Sequence, residues 1–178
     1  MAQSTTFTCR CGSVSGTLSG INPKEGTHLV CHCDSCVKAM TKAGIVADKG
    51  VAIFQTTPDR IKIDKGLDKL EPRQWTPGGL YRWHTICCDT PMFNTMGSPS
   101  LPFTGMLIEN FADPSVVCPP IAQGHVVGDD CKPRYINGNM ILWRFFKRTL
   151  TAKLTGRGRK TPFFGADRKQ IAPPTPLL

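Results

Sequence analysis

Three of the nine cysteines fall within six positions, Cys31, Cys33 and Cys36 of "LVCHCDSCVKA". Two more pairs lie elsewhere, Cys9 with Cys11 and Cys87 with Cys88, while Cys118 and Cys131 stand alone. An odd number of cysteines speaks against a fully paired disulfide framework. The polar start, "MAQSTTFTCRCGS", carries no apolar core of a signal peptide. No stretch approaches the roughly 20 apolar residues of a membrane span. The expected compartment is the reducing cytoplasm, where disulfides are rare. A redox dithiol would show C-x-x-C beside a βαβ pattern, which is missing. Metal ligation accounts best for such crowding. Zinc is the favoured ion, up to two per chain, because thiolate-rich tetrahedral sites suit it; an iron–sulfur cluster is the lesser alternative.

Spacing sets the geometry. On an extended chain, side chains two apart share a side and their roots lie roughly 6.5 Å apart. Thiolates around one tetrahedral zinc converge to about 3.8 Å, which a modest bend achieves. Cys33 and Cys36 converge if a turn or helix start lies between them. Cys9 and Cys11 make half a site and need distant partners. Cys87 and Cys88 are the obvious ones, provided the backbone turns at "CCDTP". In a weaker version Cys88 alone joins Cys9 and Cys11, and His84 or a distant cysteine completes the set. His32, between two same-side ligands, is expected to point away. His28 and His125 read as ordinary surface or loop histidines, and Cys118 and Cys131 as buried core thiols.

The body of the chain reads as mainly β. "TFTCRCGSVSGTLSG" alternates loosely at period two. "VAIFQTTPDRIKI" predicts two short strands around a turn; "LYRWHTICC" and "PFTGMLIENF" predict one each. With 17 glycines and 15 prolines the chain is no helical bundle. A short helix is expected after Cys33, capped by Asp34 or Ser35 and ended by Gly44. A longer amphipathic helix is expected over about 139–155. Leu142, Phe146, Leu150 and Leu154 fall four apart, with Trp143 beside them; Asn137 or Asn139 caps it and Gly156 stops it. Residues 1–135 are expected to form the β domain. Residues 136–178 form a basic helix and tail, packed on it or extending from it and pinned by Phe163 and Phe164.

Charge is uneven. From Met140 onward nine Lys/Arg face one acid, a balance of +8 out of a total of +9. In the simplest reading the apolar helix face docks on the domain and the bases face water. The alternatives are a membrane-surface or partner-binding helix, phosphate contacts to nucleic acid through "TGRGRK", or attraction of an anionic thiol.

"CRCGSVSG", then "CHCDSCVKA", then a cysteine followed by "DTPMF" resemble, in order and spacing, the glutathione-dependent formaldehyde-activating enzyme family, which includes the domain of centromere protein V. The resemblance covers roughly residues 5–115, and "RWHTICCDTPMFNT" is similar to an uncharacterised bacterial subgroup. It implies a mainly β zinc-binding fold of several curled antiparallel sheets. It further implies a structural zinc on Cys9, Cys11, Cys88 and one more ligand, and a catalytic zinc on Cys31, Cys33 and Cys36. The family joins glutathione to formaldehyde. Two positions depart from its C-x-x-C-G-T-P pattern: Thr85 stands where the first cysteine falls, with Cys87 as its substitute, and Asp89 stands for the glycine. The expected function is a zinc-dependent carbon–sulfur lyase acting on a thiol–aldehyde adduct. The alternative is a non-catalytic zinc-stabilised module that binds through its basic tail.

Overall fold

The computed structural model describes residues 2–23 and 26–177. It is mainly β, with two sheets and two α-helices. In chain order come β1 (Gln3–Thr8), β2 (Ser15–Ile21), β3 (Thr27–Cys31), α1 (Asp34–Lys42), β4 (Val51–Thr56), β5 (Ile61–Lys65), β6 (Leu70–Gln74) and β7 (Tyr81–Thr85). There follow β8 (Pro91–Thr95), β9 (Thr104–Leu107), β10 (Ala122–Val127), β11 (Pro133–Ile136), α2 (Gly138–Leu154) and β12 (Thr175–Pro176). The small sheet runs β1-β2-β5, all antiparallel. The large sheet runs β11-β10-β3-β4-β9-β8-β7-β6-β12; it is antiparallel except at β3/β10 and β6/β12. The two strands predicted from "VAIFQTTPDRIKI" both form, but a 3-10 turn at Pro58–Arg60 sends β5 into the other sheet.

Side chains alternate across the large sheet and serve two cores. Phe54 and Met106 face the small sheet, where Phe7, Leu18, Trp83 and Phe93 are buried with them. Their neighbours Ile53 and Leu107 face the opposite way, where α1 lays Cys36 and Met40 against the sheet. Phe7 meets Phe93 edge-on at 5.3 Å and so ties the sheets together. Gly16 lets the chain pass here, because a Cβ would lie 2.2 Å from the Lys62 carbonyl and 2.5 Å from the Phe7 ring.

The C-terminal segment folds back onto the domain. Phe163 is fully buried, 5.1 Å from both Trp83 and Phe93, and β12 extends the edge of the large sheet at β6. The expected orientation of α2 is reversed. Leu142, Trp143, Phe146, Leu150 and Leu154 are exposed, while Arg148, Thr149 and Ala152 are buried. The cause is a polar anchor: Arg148 Nη1 donates to Thr27 Oγ1 at 2.6 Å, and small Ala152 allows close approach. Two smaller expectations also fail. Cys33, not Asp34 or Ser35, occupies the N-cap of α1, and Cys118 and Cys131 are exposed rather than core thiols. Asn137 does sit at the N-cap of α2, but its amide donates to the Ile121 carbonyl instead of capping.

Phe163→Ala should cost about 3–5 kcal/mol in urea denaturation, as for other buried Phe truncations. A cost below about 1 kcal/mol would show that the C-terminal segment is not part of the core.

Candidate functional site

Among the described residues, two groups of side chains converge closely enough to hold a metal ion, their ligand atoms lying within 4.8 Å of one another: Cys9, Cys11, Cys87 and Cys88, and separately Cys31, Cys33 and His125. None of the nine cysteines forms a disulfide.

The first group is built from two turns. After β1 the chain turns at Cys9–Gly12: the Gly12 amide reaches the Cys9 carbonyl at 2.9 Å, and Gly12 takes a φ of +71°. The Val14 amide donates to Cys9 Sγ at 3.3 Å. The second turn follows β7. Cys87 and Cys88 lie in it rather than on the strand, which ends at Thr85. The turn is closed by the Asp89 amide on the Thr85 carbonyl, 2.8 Å, and the Thr90 amide on Thr85 Oγ1, 3.0 Å. Adjacent cysteines can therefore face one point. Sulfur separations are 3.7 Å for Cys9–Cys11, 3.4 Å for Cys11–Cys87 and 3.9 Å for Cys87–Cys88. Four thiolates sharing a tetrahedral zinc lie about 3.8 Å apart; the donor set fits such an ion.

The two departures from the C-x-x-C-G-T-P pattern acquire physical roles. Thr85 stands 3.2 Å from Cys88 Sγ, and Thr90 stands 3.1 Å from it on another side. Burial raises the Cys88 thiol, but hydrogen bonds from these hydroxyls outweigh it and lower the group to about 5. Asp89 adopts a φ of +51°, the left-handed conformation glycine would take without strain. Its carboxylate is held by Arg73 and lies 3.3 Å from His84 Nδ1. His84 is buried and faces Asp89, not the sulfurs; burial and the Arg73 charge hold it down to about 4, so the ring is neutral at pH 7. Arg10 crosses between the turns, its Nη2 donating to the Cys88 carbonyl at 2.7 Å.

The second group forms where β3 passes into α1. Cys31 ends the strand, Cys33 precedes the helix, and their sulfurs are 3.3 Å apart. The third side chain of the group is His125, expected from the sequence to be an ordinary surface or loop histidine. Strand β10 runs beside β3, but its pairing with β11 shifts register between Gln123 and Val126. At that bulge His125 takes a φ of +57° and turns toward the cysteines. Its Nε2 meets the Tyr135 hydroxyl at 2.9 Å. Its buried Nδ1 has no hydrogen-bond partner among the described residues. A ring fixed through one nitrogen with the other lone pair buried and unused suits a metal ligand.

Cys36 lies on the inner side of this site and does not belong to the compact three-ligand group. It is buried, with Arg82 nitrogens 3.7 and 3.8 Å from its sulfur. Among the three thiols the negative charge settles on Cys33. Hydrogen bonds from Cys31 and Cys36 hold Cys33 far below the usual thiol range, and the bond with Cys33 pushes Cys31 up. His32 points away as expected, with Nε2 3.3 Å from Gln123 Oε1. Cys118 and Cys131 join neither group. His125 carries no motif; its one sequence signal is a Gly-His pair breaking an otherwise apolar run, "IAQGHVV".

Fold and clusters together define a β-rich protein with two cysteine-based sites able to hold metal ions. The chain belongs to the family described as DUF6151, a family of unknown function, whose profile matches residues 1–167. No curated protein matches the chain. Among solved structures it is similar to the crystal structure of a Rhodobacter sphaeroides protein from structural genomics, at 16% identity and a TM-score of 0.45, covering 60% of this chain and 87% of that one.

Metal analysis of protein purified without added metal should find close to two ions per chain. Cys87→Ser should lose one ion and fold poorly, because binding at such a clasp is coupled to folding. His125→Ala should lose the other ion and stay folded. If both variants retain wild-type metal content, the assignment of these ligands is wrong.

Proposed function

We propose that this chain is a zinc-dependent carbon–sulfur lyase acting on the adduct of a glutathione-type thiol with a small aldehyde. The observation that carries this reading is the ligand set Cys31, Cys33 and His125, two thiolates and one imidazole on the partly exposed rim of the fold. Three protein ligands leave a tetrahedral ion one open position, the arrangement of catalytic rather than structural zinc. The four-cysteine group offers no such position and is assigned a structural zinc.

A zinc ion at the open site would supply a positive charge that holds an incoming thiol as thiolate at neutral pH. The chain's residues do the remaining work. Cys31 and Cys33 fix one side of the site, and the Tyr135 hydroxyl fixes the plane of the His125 ring. The Arg82 guanidinium beside Cys36 offsets the negative charge gathered there. In the synthetic direction the thiol sulfur adds to the carbonyl carbon. The π pair moves to oxygen and takes the proton the thiol has released; lysis is the reverse. The motifs resembling the formaldehyde-activating family support this substrate class, and nine free cysteines suit a reducing cytoplasm.

A second reading rests on Cys36. Its sulfur hydrogen-bonds with those of Cys31 and Cys33, so it can complete a closed Cys3His sphere, which is a structural type. The protein would then be a zinc-stabilised binding module.

Cobalt substitution separates the two. With an open site, glutathione should alter the thiolate-to-cobalt absorption, and Cys36→Ser should keep both ions. The protein should also speed exchange between free glutathione and its hydroxymethyl adduct with formaldehyde. A cobalt spectrum indifferent to glutathione, together with loss of an ion in Cys36→Ser, would establish the module instead.

A further inference from the structure

We propose that the outward face of α2 and the bases around it form a docking surface for an anionic lipid bilayer. The helix presents its apolar side to solvent. Trp143 is 67% exposed, Phe146 61%, Leu150 58% and Leu154 80%, with Leu142 and Met140 completing the stripe. A contiguous apolar surface of this kind marks an interaction site.

The stripe is not an accident of helix rotation. Arg148 on the opposite side is 5% exposed and bonded to Thr27, and Arg144 Nη1 donates to the Pro23 carbonyl at 2.8 Å. Phe145 packs on Phe103, ring centroids 5.6 Å apart. Rolling the helix to bury its leucines would strip these guanidinium groups of their partners, which is strongly unfavourable for buried charge. The anchored side thus holds the apolar side outward.

Charge selects the occupant. Only Asp167 is acidic from Met140 to the end, against nine bases, and after setting aside buried Arg148, inward-bonded Arg144 and Arg157, which lies 3.8 Å from Asp59, six remain. At about 100° per residue, Lys153 and Lys147 lie about 20° inside the two margins of the stripe. Both are exposed, so their ammonium groups can reach headgroup level while their stems lie along apolar surface. A two-fold pair of chains through this face would bring the lysines of both copies into one interface, with no acid on either helix to meet them. An anionic bilayer accepts the apolar stripe and the bases together. Beyond the helix end, a cavity of about 500 Å³ is lined by Lys153, Gly156, Arg159, Thr161 and Arg168. No Asp or Glu lines it among the described residues. Arg168 Nη2 donates to Ser100 Oγ at 2.8 Å, and the three basic side chains lining the cavity suit a phosphate group. Among the described residues no helix is long and apolar enough to cross a membrane, so α2 would lie in the interface.

The metal-loaded chain should co-sediment with phosphatidylserine–phosphatidylcholine vesicles and not with phosphatidylcholine alone. Added salt should weaken the binding. Trp143 emission should shift to the blue on binding and be quenched by brominated acyl chains. Trp143→Phe should still bind but lose both signals. Lys147→Gln with Lys153→Gln should weaken binding about thirtyfold, from roughly 1 kcal/mol per base. Leu150→Asp should abolish it while leaving the circular dichroism unchanged. Absence of binding to both vesicle types, or equal binding to both, overturns the proposal. So does a concentration-dependent dimer that Leu150→Asp dissolves, which would make a second copy the occupant.

Discussion

Four thiolates within a few ångströms of one another repel, and only a cation among them turns that crowding into cohesion. Cys11 and Cys87 stand 76 positions apart in sequence yet 3.4 Å apart in space. The turn carrying Cys9 and Cys11 joins two strands of the small sheet; the turn carrying Cys87 and Cys88 joins two strands of the large one. The cluster is therefore a clasp between sheets, closing one end of the core in which Phe7 meets Phe93. An ion bound there acts on the unfolded chain as a long-range cross-link would, since it joins segments far apart in sequence. The threonine hydroxyls around Cys88 and the Arg10 bridge to its carbonyl are the local devices that keep the clasp in shape.

The clasp was legible because ligand chemistry imposes spacing. Sulfur atoms two or three positions apart can converge with little backbone distortion, and "CCDTP" carries the turn that lets neighbours converge too. The β-rich class was legible for a related reason: alternation and turn residues are local properties. His125 was not legible. Its place depends on a bulge in β10 and on β10 lying parallel to β3, both consequences of pairing between distant segments. A histidine with positive φ is uncommon, but φ cannot be read from residue type. The same limit hid the partition of β4 and β5 between sheets, which follows from where each strand finds a partner.

Amphipathic periodicity states that a helix has two unlike faces; it does not state which one the protein covers. In α2 the usual inference inverts. Arg148 reaches Thr27 across the packing boundary, and the half-buried Ile141 and Phe145 give the inner side enough apolar contact to hold it. Placing the side chains at 100° per residue separates Leu142, Phe146 and Leu150 from Arg148 and Ala152. Only tertiary contacts show that the second set faces inward.

The two ends of the molecule thus differ in kind. Around the sulfurs, thiol groups are concentrated that as thiolates could hold a positive ion. Beyond Met140, positive charge is concentrated beside uncovered apolar surface and is complemented by negative surfaces. Strand β11 connects them: Tyr135 on it fixes the His125 ring, and two residues after its end α2 is under way. A contact made on α2 is therefore only a short step of backbone from the hydrogen bond that orients the third ligand of the second site. That bond is solvent-exposed, whereas the four-cysteine clasp lies in the turns that follow β1 and β7. Of the two groups, Cys31, Cys33 and His125 form the one that lies next to the strand leading into α2.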